Sequence, residues 1–128
     1  MREILFRAKQ HYTKEWLYGA VVKDGDECLI TVGKPDGLYK QKMTVVEEST
    51  VGQFTGLLDK HGRKIFEGDI IEVDFDNDGP TIGKQKAFIE YSQHHTAFMV
   101  RPIKDWAFCE MTEGKIIGNI HDNPELLT

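Results

Sequence analysis

Short apolar segments separated by tight-turn residues run along the whole chain of 128 residues. The sequences DGDE (24–27), KPDG (34–37), DKHG (59–62) and EGD (67–69) combine Asp, Gly and Pro, which suit the backbone angles of tight turns. No segment of 12 or more residues carries a sustained helical repeat of apolar residues. About ten short strands at near-regular spacing therefore predict a mainly β protein with little helix.

The predicted strands are rich in aromatic and β-branched residues, or alternate apolar with polar residues. They cover residues 4–8, 15–23, 27–33, 42–48, 53–58, 63–67, 69–75, 84–92, 96–103, 106–111 and 115–120. Two tight turns within residues 53–75 predict a three-stranded meander. A short turn is expected at Ser49 or Thr50. One helical turn is expected near the C-terminus, where Asn123 suits a cap and Pro124 the first helical position.

The apolar positions of these strands define the expected core. Its members are Leu17, Val21, Ile30, Phe54, Leu57, Ile65, Ile71, Val73, Phe88, Ile89, Phe98, Val100 and Ile117. Cys28 and Cys109 lie in apolar runs without a CxxC partner or a nearby His at zinc-ligand spacing, so both are expected to be reduced core residues. Asp69 follows Gly68 and is expected to bond the local backbone, fixing the corner into the next strand.

The composition is that of a globular protein, with 40% hydrophobic and 29% charged residues. The length predicts one domain, 1–128. No apolar run approaches the roughly 20 residues that a membrane helix needs, and residues 1–16 lack an apolar stretch of signal-peptide length. We therefore expect a cytoplasmic protein with no membrane partner.

The net charge of −5 is unevenly distributed. Residues 48–128 hold 8 Lys and Arg against 14 Asp and Glu, whereas residues 1–47 hold 8 against 7. The acidic part would repel a phosphate backbone, which counts against broad nucleic-acid binding.

Basic residues near the N-terminus are the candidates for a local nucleic-acid patch. They are Arg2, Arg7, Lys9 and Lys14, with Lys40 and Lys42 further along the chain. Tyr12, Trp16 and Tyr18 lie nearby, and an aromatic surface with cations is able to stack nucleotides. Trp16 and Tyr18 are two residues apart on one strand face, so the favoured expectation places both in the core.

The acidic sequence DFDNDG (74–79) matches the first half of an EF-hand calcium loop. Asp74, Asp76, Asp78 and Gly79 occupy loop positions 1, 3, 5 and 6, but Gln85 stands where a bidentate Glu is needed. The flanking sequences also predict strands rather than helices. We therefore expect a solvated hairpin loop, with weak cation binding by the three aspartates as the open alternative.

Catalytic motifs are missing from the sequence. It contains no GxSxG, GxxxxGK[ST] or HExxH. His94 and His95 are adjacent, so in a strand they would point to opposite faces and could not share an ion from one side. We accordingly assign no catalytic, cofactor-binding or metal-binding residue. A hydrolase or metal-dependent enzyme is the least favoured alternative.

Four segments, in order and spacing, resemble the YopX family of small proteins carried by bacteriophages and prophages. They are FRAK (6–9), EWLYG (15–19), TVGQFTGLLDKHGRKIFEGDII (50–71) and IIGNIHDNPELL (116–127). The signature residues are turn and cap types, namely Gly56, Asp59, Gly62, Gly68, Asp69, Gly118, Asn119, Asn123 and Pro124. The acidic loop at 74–79 is not part of the signature.

The resemblance implies a mainly β fold with an SH3-like barrel element, self-association, and no established activity or cofactor. On that basis residues 48–128 are expected to form the barrel from central and C-terminal strands, and 1–47 to add an N-terminal sheet. The expected function is a non-enzymatic phage or prophage accessory protein in a bacterial host. It would form a homo-oligomer or bind a phage or host protein through strand edges. The alternative is a nucleic-acid-binding small barrel.

Overall fold

A computed structural model describes residues 3–32, 42–75, 83–101 and 113–127. Its strands are β1 (Phe6–Lys9), β2 (Trp16–Asp24), β3 (Glu27–Val32), β4 (Lys42–Val45), β5 (Gly52–Leu58), β6 (Lys64–Phe66), β7 (Asp69–Phe75), β8 (Gly83–Ser92), β9 (Ala97–Arg101) and β10 (Lys115–Asn119). Two short 3-10 helices span Glu48–Thr50 and Pro124–Leu127, where single turns were predicted. The chain divides into two compact units, Met1–Phe54 and Thr55–Thr128.

The strands form two antiparallel sheets, which confirms the mainly β prediction. The orders are β4-β3-β2-β1-β5-β6 and β10-β7-β8-β9. Among the described residues no closed barrel of the SH3-like kind is seen. The predicted strand at 106–111, with Cys109, lies outside the described residues.

The meander predicted over residues 53–75 is wrong at its second turn. β6 belongs to the six-stranded sheet, whereas β7 pairs with β8 and β10 in the other. Gly68 adopts φ +91°, and the buried carboxylate of Asp69 accepts a 2.7 Å hydrogen bond from the Phe66 backbone N–H. This local bond is the one predicted for Asp69. It closes a sharp corner that redirects the chain instead of folding β7 back onto β6.

The first unit makes a core from one sheet because the sheet coils strongly. Gln10, at the end of β1, bridges Val46, just after β4. The His11 N–H donates to the Val45 carbonyl at 3.1 Å and the Glu47 N–H to the Lys9 carbonyl at 2.9 Å. The enclosed side chains are Ala8, Cys28, Ile30 and Val46, with Leu17, Val21 and Val51 packed against them. The coil thus brings the outermost of the first four strands against the first.

The 3-10 helix Glu48–Thr50 is tied to β1 by one buried hydroxyl. Thr50 Oγ1 accepts a hydrogen bond from the Lys9 N–H at 2.9 Å and donates to the Glu47 carbonyl at 2.6 Å. Since a buried hydroxyl must satisfy its bonding capacity, both bonds fix where the chain leaves β4 for β5.

The second unit packs its core on the β10-β7-β8-β9 sheet. Its buried members are Ile65, Ile71, Val73, Ala87, Ile89 and Val100, with Leu57, Phe98 and Ile116 against them. Most of the predicted core is confirmed. The buried residues that the prediction omitted are Ala8, Val46, Phe66, Ile70 and Ala87. The irregular register between Ile116 and Gly118 explains why Ile116, rather than the predicted Ile117, packs against this core.

Gly19 allows the closest backbone approach in the first unit. A Cβ at this position would lie 1.8 Å from the Thr31 carbonyl oxygen. Gly19 pairs with Phe6 of β1, while the next residue, Ala20, pairs with Thr31 of β3. The glycine therefore stands where β2 changes partner, and its missing side chain permits the coil.

Gly19→Ala is expected to lower the free energy of unfolding by about 1–3 kcal/mol or more, since the new methyl has no room beside rigid backbone. Urea denaturation followed by circular dichroism measures the change. The exposed neighbouring substitution Ala20→Ser should change stability by less than about 0.5 kcal/mol. Equal stability of Gly19→Ala and the natural chain would contradict the close approach.

Candidate interaction surface

The side of the N-terminal sheet that faces away from its core carries a second apolar surface. Side chains alternate along a strand, so Ala20 and Val22 point opposite to the core residue Val21. Two cross-strand rows result, Ala20–Thr31–Met43 and Val22–Leu29–Val45. Together with Tyr18 these residues form what we call the outer face.

Several apolar side chains of the outer face are exposed. Tyr18 and Met43 are each 51% exposed and Val22 is 42% exposed. The hydroxyl of Thr31 bonds within the sheet, accepting from the Ala20 N–H at 3.2 Å and donating to the Ala20 carbonyl at 3.3 Å. The centre of the face consequently presents little unsatisfied polar chemistry. Exposed apolar patches of this kind are typical of interaction sites.

The two ends of the outer face differ in charge. At one end Arg7 and Lys9 of β1 lie opposite Tyr18 and Trp16 of β2. The Arg7 guanidinium carbon lies 4.7 Å, and the Lys9 Nζ 5.5 Å, from the centroid of the Trp16 ring. At the other end Asp24 pairs with Glu27 and both are exposed, as is Asp26 between them.

The structure corrects the prediction that Trp16 and Tyr18 both belong to the core. Tyr18 is half exposed, and Trp16 is only partly buried beneath its two cations. The cause is that the enclosed core lies on the opposite face of β2, with Leu17 and Val21. Of the other basic candidates, Lys14 forms an ion pair with the Glu47 carboxylate, while Arg2 and Lys40 lie outside the described residues.

The strand edges, expected to be the contact surface, are partly occupied by the chain itself. The Val45 carbonyl of β4 accepts the His11 N–H. In the second unit, the Lys60 N–H donates to the Gly114 carbonyl at 2.9 Å and the Ile116 N–H to Asp59 Oδ2 at 3.1 Å. These bonds cover part of the β4 and β10 edges, so a sheet face is the better candidate.

No metal centre is formed by the described residues. They contain no group of three or more His, Cys, Asp or Glu able to hold an ion. Asp76, Asp78 and Gly79 lie outside the described residues, and Asp74 is within β7. Ser92 Oγ and His95 Nδ1 are 3.1 Å apart, and the His95 N–H also donates to Ser92 Oγ at 3.3 Å. Both contacts are local to the turn after β8, a structural role.

Cys28 is buried in the N-terminal core, as predicted. Burial raises the pKa of its thiol, and the nearby Glu48 adds to that effect. The thiol is therefore a small core group rather than a reactive one.

The signature residues of the second unit set backbone geometry, as their turn and cap types predicted. Gly56, Gly62 and Gly68 all have positive φ. Asn119 Oδ1 accepts the backbone N–H groups of His121 and Asp122, and Asn123 Oδ1 accepts that of Asn119. These bonds organise the turn that leads into Pro124–Leu127.

Asp59 accepts three hydrogen bonds from backbone N–H groups. Oδ1 accepts the N–H groups of His61 and Arg63, both at 2.9 Å, and Oδ2 accepts that of Ile116. Burial alone would raise the pKa of this carboxyl, but the hydrogen bonds from Ile116, Arg63 and His61 outweigh it and lower the pKa. Asp59 thereby joins the β5–β6 turn to β10.

A profile of the YopX protein family matches residues 5–128. The chain belongs to the YopX family. A solved structure that resembles it is that of protein EF1440 from Enterococcus faecalis, with 26% sequence identity, a TM-score of 0.64 and full coverage of both chains. No curated protein matches the chain. Among the described residues, no helix of this YopX-family chain is long and apolar enough to span a membrane.

Asp59→Asn is expected to destabilise the protein by about 1–3 kcal/mol, because an amide group would face the Ile116 N–H and leave a partly buried donor unsatisfied. Chemical denaturation at neutral pH measures the difference. The exposed carboxylate variant Glu113→Gln serves as the control and should be close to neutral. A neutral Asp59→Asn would show that the three bonds contribute little.

The stabilisation by Asp59 is expected to depend on pH. Its folded-state pKa is lowered from 3.8, so the contribution is fully present above about 3.8 and is lost as pH falls through the lowered folded value. The difference in unfolding free energy between the natural chain and Asp59→Asn should therefore narrow in acid. Urea denaturation of both proteins at neutral pH and at a pH below 3.8 tests this prediction. A difference in unfolding free energy that stays constant with pH would refute it.

Proposed function

We propose that this YopX-family chain is a non-enzymatic accessory protein of a phage or prophage that works by self-association or by binding another protein. The observation that carries the proposal is the outer face, an exposed apolar surface in the middle of a sheet whose opposite side encloses a core. A sheet whose strands carry apolar residues on both faces is normally covered on both faces. A macromolecular partner would supply the missing cover.

The organisation of the family signature supports a binding role over catalysis. Asp59, Asp69 and Asn119 direct their side chains to backbone groups, so their polar atoms already serve the fold. The Ser92–His95 contact is likewise part of a turn. In this proposal no residue is assigned a catalytic role.

The finer fold is part of the same proposal. We infer that residues 48–128 contribute an SH3-like barrel element. The strand pairs β7–β8 and β8–β9, together with the sharp corner at Gly68, support strongly bent antiparallel sheet in this unit.

Nucleic-acid binding is the weaker candidate. The face of Trp16 that a base would stack on is approached by Arg7 and Lys9 of the same chain. Lys14 and Lys23 are paired with Glu47 and Glu48. These internal pairings reduce the cationic and aromatic surface that a nucleic acid would use.

Size-exclusion chromatography with light scattering tests the proposal, with absorbance recorded at two wavelengths in the same run so that bound nucleic acid is detected. An oligomer without nucleic-acid absorbance is the expected result. A peak that carries nucleic acid, with a salt-dependent association, would favour the weaker candidate. A chain that stays monomeric at all concentrations and binds no phage or host protein would refute the proposed function.

A further inference from the structure

The charge pattern of the outer face is self-complementary. Along β2, the face begins beside Lys9, with the buried Arg7 next to it, passes through Ala20 and Val22, and ends at the acidic hairpin. A twofold axis through its centre would place the cationic end of one copy against the acidic end of the other. An isologous dimer requires this property, because every contact between residue i of one copy and residue j of the other occurs a second time with the copies exchanged.

We propose that the occupant of the outer face is a second copy of this chain, packed face to face about a twofold axis near the Ala20–Thr31 and Val22–Leu29 pairs. This inference rests on the proposed function and adds its surface and geometry. Tyr18, Val22 and Met43 would be buried at the centre. Lys9 of each copy would lie against Glu27 of the other.

The apolar area of the outer face determines how tightly the dimer is expected to bind. A fully exposed aromatic side chain presents roughly 150–250 Å², and Val and Met are smaller. The half-exposed Tyr18, Val22 and Met43 therefore offer together at most on the order of 300 Å². A stable interface buries roughly 800 Å² from each partner. The dimer is therefore weak and depends on concentration, with the charged ends contributing both orientation and association rate.

Sedimentation velocity over a range of protein concentrations tests the apolar centre. Val22→Glu and Met43→Glu place a carboxylate where the copies meet and should each raise the dimer dissociation constant by at least about tenfold. Both side chains are exposed in the single chain, so the variants should fold, as circular dichroism would verify. Leu58→Glu, at 46% exposure and outside the outer face, is the matched control and should leave dimerisation unchanged.

Charge exchange tests the twofold geometry. In its own dimer, the variant Lys9→Glu would bring two carboxylates together at each end of the interface, and the variant Glu27→Lys would bring two ammonium groups together there. Both variants should therefore dimerise more weakly than the natural chain. In an equimolar mixture, a heterodimer of the two variants sets a carboxylate from one copy against an ammonium group from the other at both ends of the interface.

The proposed register specifies which residues meet in that heterodimer. At one end, the carboxylate introduced at position 9 of the first variant meets the ammonium group introduced at position 27 of the second. At the other end the natural Lys9 of the second variant meets the natural Glu27 of the first. Both contacts are attractive, so the mixture should dimerise more tightly than either variant alone, and high salt should remove the recovery.

The outcomes separate this inference from the proposed function. If the chain self-associates but Val22→Glu and Met43→Glu behave like Leu58→Glu, the outer face is not the contact and the inference is overturned while the proposed function stands. If the chain is monomeric but uses Val22 and Met43 to bind a phage or host protein, the second copy is the wrong occupant. A monomer that binds nothing overturns both.

Discussion

The close approach of Gly19 to the Thr31 carbonyl is the constraint on which the N-terminal unit depends. It lets β2 pair with β1 through its first half and with β3 through its second. The sheet can then coil until Gln10 meets Val46. A single layer of strands thereby acquires an inside, where Ile30 is fully buried, and an outside, where Val22 is exposed.

The second unit solves a different problem, which is to change sheets within three residues. A carboxylate accepts backbone hydrogen bonds at both turns of this region, of which only the β6–β7 corner changes sheets. Asp59 holds the β5–β6 turn against β10, and Asp69 closes the corner between β6 and β7. Phe66 is buried and Ile116 is partly buried, so their backbone N–H groups need an acceptor within the protein. These two residues of the family signature therefore set backbone geometry.

The strand positions could be predicted from sequence because turn residues and apolar alternation are local signals. Strand pairing could not be predicted in the same way. The sequence Gly68–Asp69 suits a hairpin turn as well as a corner, so the sequence did not show that β7 joins the other sheet. The site was harder still. The apolar residues of β2 on both faces were visible in WLYGAVV, but sequence alone did not show which face the coil would enclose. Tyr18 was accordingly placed on the wrong side of the sheet.

An apolar face in a coiled sheet is also exposed to a general hazard. Exposed apolar strands invite indiscriminate association, and the outer face meets this hazard with charge at both ends and cations stacked on Trp16. Charge at the rim adds little binding energy but penalises wrongly oriented or wrongly charged partners. A modest apolar centre between ends of opposite sign thus favours one orientation over many. This is the arrangement that a weak and selective contact needs.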